Sequence, residues 1–307
     1  MGQPLIQTQN LTVRYGHRAA LDSLSVAIPP GVVGLLGPNG AGKSTFLKTL
    51  LGFIEPAEGY ADVLGERVNP HRTESRTRIG YLPEQKAFIP ELSAVESVAL
   101  AGEVGGLPRW SALERAHDVL TFAGLGEARY RMIDSFSTGM LQRTKLATAL
   151  VHDPDLLLLD EPTSGTDPAG RRHLFELIRQ LSRDHGISVL LSTHFLHDVE
   201  AVCDRVVALK KGRLVLSGDL RSLKKAPGWV YEARVREEEP GRFAAALVER
   251  GLEPVAGKDG LFRISLPEAD GRILFETALA TGAELRYLRR FESSLEELFL
   301  AAVDQRT

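Results

Sequence analysis

Residues 37–45 read Gly-Pro-Asn-Gly-Ala-Gly-Lys-Ser-Thr, the most informative stretch of the chain. Its spacing is that of the phosphate-binding loop G-x-x-x-x-G-K-[ST]. Glycines let backbone N–H groups approach a phosphate without an intervening Cβ, and a following helix N-terminus adds a favourable dipole. The apolar run Val32–Leu36 precedes the loop and the helical pattern Thr45–Leu51 follows it. The stretch therefore predicts a nucleotide-binding loop between a buried strand and a helix.

The side chains of this loop have separate expected roles. Lys43 is expected to place a positive charge at the β- and γ-phosphates of a nucleoside triphosphate, and the Ser44 hydroxyl is expected to ligate Mg²⁺. The other candidate nucleotide ligands are Gly37, Asn39, Gly40, Ala41, Gly42 and Thr45. This loop alone does not say which class of NTPase the chain forms.

A second apolar run ends in two carboxylates. Leu156–Leu159 is followed directly by Asp160 and Glu161. An Asp at the end of a buried strand can hold Mg²⁺ through water, and an adjacent Glu can act as general base toward the attacking water. Two acids in such a place commonly form only a solvated strand end. The upstream phosphate-binding loop reverses that preference, so we predict Asp160 as a metal ligand and Glu161 as the base.

Residues 1–222 alternate between strand and helix patterns. Short uninterrupted apolar runs are typical of a buried, largely parallel sheet. These runs are Val32–Leu36, Leu156–Leu159 and Val189–Leu191. Between the last two, apolar residues of 174–181 follow helical spacing and Gly186 provides a stop. We predict a doubly wound α/β domain, interrupted by a helical subdomain at about 90–138, where two helical patterns occur without a strong strand.

A second, smaller unit is predicted over residues 228–307. The linker Lys224–Gly228 opens it, and the pattern that follows is strand, helix, two strands, helix and strand. That order predicts a small α+β domain of ferredoxin-like topology. A last helix follows, at whose start Ser294 and Glu297 can form a capping box.

The segment Phe136–Arg143, Phe-Ser-Thr-Gly-Met-Leu-Gln-Arg, resembles the LSGGQ signature of ATP-binding cassette (ABC) ATPases. In that family the signature of one chain reaches the γ-phosphate bound by the other. The resemblance assigns this contact to Ser137 and the Gly139 backbone, while Thr138 and Met140 depart from the commonest form. Ser137 is also expected to be a plain helix N-cap, and the two roles are compatible.

Three further segments match the same family in order and spacing. His194, in Leu-Ser-Thr-His, matches the switch histidine that bonds the γ-phosphate. Ser164–Asp167 resembles the loop that links the two sites of the dimer, with Thr166 in place of an apolar residue. Tyr15 matches an aromatic residue that stacks on adenine.

The stretch Tyr81–Gln85, Tyr-Leu-Pro-Glu-Gln, resembles a loop in which the family usually carries a Gln. That Gln senses Mg²⁺ and contacts the membrane subunit. Glu84 occupies the matching position and Gln85 follows it, so either side chain could provide the oxygen ligand.

The resemblance covers about residues 4–220, and 293–300 resembles the C-terminal extension of exporter-type (ABC-2) ATP-binding subunits. It implies an ATPase that drives transport while the membrane subunit handles the substrate. ATP and Mg²⁺ would be sandwiched between the two chains of a head-to-tail dimer. Integral membrane permease subunits are the implied partners, which would hold the chain on the cytoplasmic face of the cell membrane. A homodimer and a heterodimer stay open, as do the substrate and the direction beyond a preference for export.

Composition excludes other classes. The net charge of -3 gives no reason to expect a nucleic-acid partner, and the single cysteine allows no internal disulfide. We expect neither a transmembrane helix nor a signal peptide, because no apolar run approaches the necessary length. The alternative function is a non-transport ABC ATPase of DNA repair or ribosomes. Such proteins usually carry two cassettes or a long coiled coil, and this sequence indicates one cassette and no heptad run.

Overall fold

The computed structural model describes residues 3–71, 74–85, 88–224, 229–236, 241–257, 260–267, 270–291 and 295–304. The chain divides into two units, Met1–Leu220 with Ala302–Thr307, and Arg221–Ala301. Residues 225–228 of the predicted linker and Ser294 of the predicted capping box lie outside the described residues. No helix in the described ranges is long and apolar enough to cross a bilayer.

The first unit alternates strands and helices. Its strands are β1 (Ile6–Tyr15), β2 (Arg18–Ile28), β3 (Val32–Leu36), β4 (Glu58–Val63), β5 (Glu66–Arg67), β6 (Ile79–Leu82), β7 (Leu156–Asp160), β8 (Ser188–Thr193), β9 (Arg205–Lys210) and β10 (Arg213–Asp219). Its helices are α1 (Lys43–Leu50), α2 (Ala94–Val104), α3 (Arg109–Phe122), α4 (Thr138–Leu150), α5 (Pro168–His185) and α6 (Leu196–Val202). A short helix, α7 (Leu220–Lys224), follows β10.

The central sheet of this unit has the strand order β10-β9-β3-β8-β7-β6. Strands β9, β3, β8, β7 and β6 are parallel, and β10 pairs antiparallel with β9. Successive residues of β7 enter different cores: Leu157 packs with α4 and α5, and Leu158 packs with α1. Because both faces are covered, β3, β7 and β8 are buried along their whole length. The predicted doubly wound α/β core is confirmed.

A separate antiparallel sheet, in the order β2-β1-β4-β5, covers the outer side of α1. Phe46 and Leu47 of α1 are fully buried in the core that this sheet shares with the central one. Within this sheet the sequence predicts only β2, through the alternation of Leu24, Val26 and Ile28 with polar or small residues. Strand β1 escaped notice because its register shifts after Thr8, where Asn10 adopts a left-handed backbone conformation (φ 47°) and interrupts the two-residue period.

Helices α2 and α3 form the helical region expected between residues 90 and 138. Their fully buried contact residues include Val98, Ala116 and Leu120. Helix α3 begins at Arg109, whereas the second helical pattern of this region in the sequence begins only at Ser111. Helix α2 begins with a capping box: the Ser93 side chain accepts from the Glu96 N–H, and the Glu96 carboxylate accepts from the Ser93 N–H at 2.8 Å.

The second unit contains the predicted succession of elements: β11 (Trp229–Arg236), α8 (Arg242–Glu249), β12 (Pro254–Ala256), β13 (Leu261–Leu266), α9 (Arg272–Thr281) and β14 (Glu284–Arg290). The strands pair antiparallel in the order β12-β13-β11-β14. Phe243, Leu247, Ile264 and Leu274 form its buried core. Helix α10 (Leu295–Asp304) follows. The predicted small α+β domain is confirmed.

Replacing Ser93 by Ala should lower the free energy of unfolding by about 1 kcal/mol, because α2 loses its side-chain cap. The pKa of Glu96 is lowered by hydrogen bonds from the Ser93 hydroxyl and backbone. Its contribution is therefore present above the unfolded pKa of the carboxyl group and is lost as pH falls through the folded pKa. Urea unfolding at two pH values measures both effects. Ser111→Ala, at an exposed site on α3, is the control, and an equal loss there would contradict the capping role.

Candidate functional site

A cleft of about 640 Å³ lies where β3 and β7 end. Strand carboxyl ends are the usual binding edge of a parallel sheet. The described residues that line it are Tyr15, Arg18, Ala20, Asn39, Gly40, Gly42, Lys43, Ser44, Thr45, Glu84, Glu161, Ser164 and His194. Of the predicted nucleotide and metal ligands, Gly37, Ala41, Asp160 and Gln85 do not line the cleft; Ala41 and Asp160 are buried.

The loop 37–42 requires glycine at two positions for steric reasons. A Cβ on Gly37 would lie 2.4 Å from the carbonyl oxygen of Leu209. Gly42 has φ +105°, and a Cβ there would lie 2.6 Å from the carbonyl oxygen of Ala20. The loop can therefore turn tightly into α1 only without these side chains.

Three charged or titratable side chains meet in the cleft. Lys43 Nζ donates to the Gly37 carbonyl at 2.7 Å and lies 3.2 Å from Glu161 Oε1. His194 Nδ1 lies 2.9 Å from the other carboxylate oxygen, Glu161 Oε2. The side chains of Lys43 and Glu161 are only 6% and 8% exposed. Glu161 is thus held from both sides, by a P-loop cation and by the histidine that follows β8.

Asp160 and Glu161 occupy different environments although they are adjacent. The Ser192 hydroxyl on β8 donates to Asp160 Oδ1 at 2.7 Å, inside the sheet. At Glu161 the strand has ended: its backbone is left-handed (φ 48°), and its N–H donates to the Ser192 carbonyl at 3.1 Å. This conformation is uncommon for a residue with a Cβ and directs the Glu161 side chain away from the β7 ladder into the cleft.

Tyr81, on β6, lies close to the carboxylates of Asp160 and Glu84. Burial raises the pKa of Tyr81 to about 12, and the carboxylates of Asp160 and Glu84 act in the same direction. The phenol therefore stays neutral at physiological pH and adds no charge beside Asp160.

Tyr15 and Arg18 stand opposite each other at the hairpin between β1 and β2. Tyr15 is 54% exposed, and both side chains line the cleft. The sequence analysis selected Tyr15 and missed Arg18. The sequence signal that could have identified Arg18 was the tight turn at Gly16, because such a turn places Arg18 directly across from Tyr15.

Ser137 and Gly139 lie at the N-terminus of α4 and not in the cleft of their own chain. The Ser137 hydroxyl accepts from the Met140 N–H at 3.3 Å, which makes it the expected N-cap. A Cβ on Gly139 would meet nothing within 4 Å, so the backbone there faces open space. Both residues are therefore accessible to a second molecule.

Known proteins share this fold and these motifs. The sequence profile of the family described as ABC transporter matches residues 21–164. The daunorubicin/doxorubicin resistance ATP-binding protein DrrA of Streptomyces peucetius is 34% identical over 306 residues, covering 96% of this chain and 91% of DrrA. Nod factor export ATP-binding protein I of Cupriavidus metallidurans is 33% identical over 299 residues, covering 96% of each chain.

A solved structure agrees with the first unit. The dimeric post-hydrolysis structure of the ATP-binding cassette MJ0796, bound to ADP and Pi, matches with a TM-score of 0.64 and 26% identity, over 70% of this chain and 99% of that one. The chain belongs to the ABC transporter family, as one of its ATP-binding subunits. It is an ATPase that hydrolyses ATP for transport. The related cassette MJ0796 is dimeric, and the related CbiO1 of Clostridium perfringens is part of the transporter complex CbiONQ.

Replacing Lys43 by Ala should weaken ATP binding by about 10- to 100-fold, the loss expected for a hydrogen bond to a charged group. Isothermal titration with ATP measures this. Lys48→Ala removes an exposed lysine from the same helix and should leave the affinity unchanged. Wild-type affinity in Lys43→Ala would exclude the ammonium from phosphate binding.

Proposed function

We propose that this chain drives export through separate permease subunits, as one half of an ATP-dependent dimer with two composite sites. The observation that carries the proposal is the contact of the buried Glu161 carboxylate with Lys43 and His194 inside the cleft. A carboxylate held between a P-loop lysine and a histidine is suited to orient and deprotonate a water beside a bound γ-phosphate.

Lys43, His194 and Glu161 each have a separate role in phosphoryl transfer. Lys43 stabilises negative charge on the β- and γ-phosphates, and His194 stabilises charge on the transferred group from the opposite side. Glu161 accepts the proton of the attacking water. Its low exposure keeps bulk water away, which strengthens each of these electrostatic contacts. Tyr15 stacks on the adenine, and Arg18 is placed to contact the nucleotide next to it.

The donor set fits Mg²⁺. No cluster of three or more His, Cys, Asp or Glu side chains that could hold a metal occurs within the described ranges. Mg²⁺ usually takes one or two carboxylates, waters and substrate phosphates instead. Ser44 would hold it directly and Asp160, which does not line the cleft, through water. Glu84 would be the oxygen donor of the loop after β6, since Glu84 lines the cleft and Gln85 does not. The ion would neutralise developing phosphate charge.

Ser137 and the Gly139 backbone serve the second chain in this proposal. They do not line their own cleft, and they lie at a helix N-terminus, which favours an anion. A γ-phosphate bound by one chain and capped by α4 of the other joins the two chains only until hydrolysis. ATP binding therefore closes the dimer and product release opens it.

The names of two relatives support the direction of transport. One of them is named for Nod factor export and another for drug resistance, and each matches over nearly the whole chain, including the second unit. We infer export, with the ATPase held on the cytoplasmic face of the membrane by its permease partner.

Replacing Glu161 by Gln should lower ATP turnover by about 100- to 10,000-fold while ATP still binds, because general-base catalysis is lost. Size-exclusion chromatography with mass detection should show a dimer with Mg-ATP and a monomer without it. Glu114→Gln, at an exposed carboxylate on α3, should keep wild-type turnover. Unchanged turnover in Glu161→Gln would refute the base assignment.

Replacing Ser137 by Arg should block ATP-driven dimerisation of the Glu161→Gln protein and leave ATP binding to the monomer unchanged. Ser137→Asp separates this from helix stability, since Asp also caps helices but repels a γ-phosphate. Ser111→Arg, on the exposed face of α3, is the charge-matched control. Dimers of normal mass in both Ser137 variants would contradict the composite site.

A further inference from the structure

Helix α4 carries a buried cation that the proposed mechanism does not use. Lys145 is 5% exposed, although a lysine is rarely found inside a protein without partners. Its Nζ donates to the Pro83 carbonyl at 3.0 Å and to the Glu84 carbonyl at 2.9 Å. Both carbonyls belong to the loop that follows β6, so the ammonium joins α4 to a loop distant in sequence.

These hydrogen bonds fix the loop to the helix. A buried ammonium whose hydrogen bonds are broken keeps its desolvation cost and loses the interactions that offset it. A displacement of the loop relative to α4 would cost the Lys145 ammonium both of these hydrogen bonds. The backbone at Pro83 and Glu84 is therefore constrained to move with α4.

A second buried side chain on the same face of α4, that of Gln142, also donates a hydrogen bond to a loop, the one that contains Ser164. Gln142 lies one helical turn before Lys145, is 5% exposed, and donates from Nε2 to the Ser164 carbonyl at 3.2 Å. Ser164 and Glu84 both line the cleft. The buried face of α4 thus holds two of the loops that form the chain's own nucleotide site, while its N-terminus carries Ser137.

We propose that Lys145 is a positioning residue that couples the two ATP sites of the dimer. The coupling runs from the partner's nucleotide to Ser137, along α4 to Lys145, and through two carbonyls to Glu84 in the chain's own cleft. This inference rests on the proposed composite dimer. It makes α4 a rigid element whose position both nucleotides bias, as energetic coupling between sites requires.

The test uses the full chain with Glu161→Gln, so that ATP persists. Hydrogen–deuterium exchange is followed in the peptide that contains Glu84, with and without Mg-ATP, while size-exclusion mass reports the dimer. In this parent protein, ATP should slow exchange of the peptide by about 10-fold. With Lys145→Met added, which keeps the unbranched stem, the dimer should form with the same mass, and the slowing should fall below about 2-fold.

Two controls separate coupling from stability. Arg115→Met removes an exposed ion pair with Asp153 in the same helical region and should keep the full ATP-linked slowing. Ser137→Asp leaves Lys145 untouched and should bind ATP without slowing the peptide, so the inference is tested even where Lys145→Met folds poorly.

Three results would overturn the inference. Full slowing in a dimeric Lys145→Met protein would show that the ammonium does not carry the coupling. Loss of the dimer in a stably folded Lys145→Met protein would place Lys145 at the dimer contact. Slowing of the peptide in Ser137→Asp would show that the chain's own nucleotide is sufficient. Failure of the parent to dimerise contradicts the composite dimer itself, and it is distinguished by occurring with Lys145 intact.

Discussion

The buried contact between Lys43 and Glu161 is the constraint on which the site depends. Two opposite charges with less than 10% exposure attract strongly, yet each is costly to bury alone, so removing either partner leaves an uncompensated charge. The contact exists because β3 and β7 are parallel strands of one sheet and end at the same edge. His194 joins them from β8, the strand between these two. Sheet order therefore brings together residues that are far apart in sequence.

Local patterns predicted the parts of the fold that are buried uniformly. The runs at β3, β7 and β8 are continuous because both faces of the sheet are covered. Glu161 and His194 follow such runs directly, and Lys43 follows β3 after the loop 37–42. Strand β1 has no such signal, since its bulge at Asn10 breaks the alternation. Arg18 was missed for a related reason, because its place beside Tyr15 is a matter of hairpin register.

The choice between Glu84 and Gln85 and the role of Lys145 are beyond what local sequence can decide. Which of two neighbouring side chains enters the cleft depends on how the loop turns, and that turn is held by hydrogen bonds from α4. In sequence, Lys145 is only a polar residue inside a helical pattern. Its role depends on its hydrogen bonds to the Pro83 and Glu84 carbonyls, which belong to another part of the chain. The helical period of α4 does not predict these hydrogen bonds.

The position of β3 in the central sheet has a consequence for biosynthesis. Both of its neighbours, β8 and β9, come from the far end of the first unit, so Val32–Leu36 has no pairing partner until β8 has been synthesised and lacks the second until about Lys210. An apolar strand with two open edges is prone to pair wrongly or aggregate while it waits. The nucleotide loop that follows β3 therefore leaves the ribosome well before β8 and β9, the two strands that hold β3 in the central sheet.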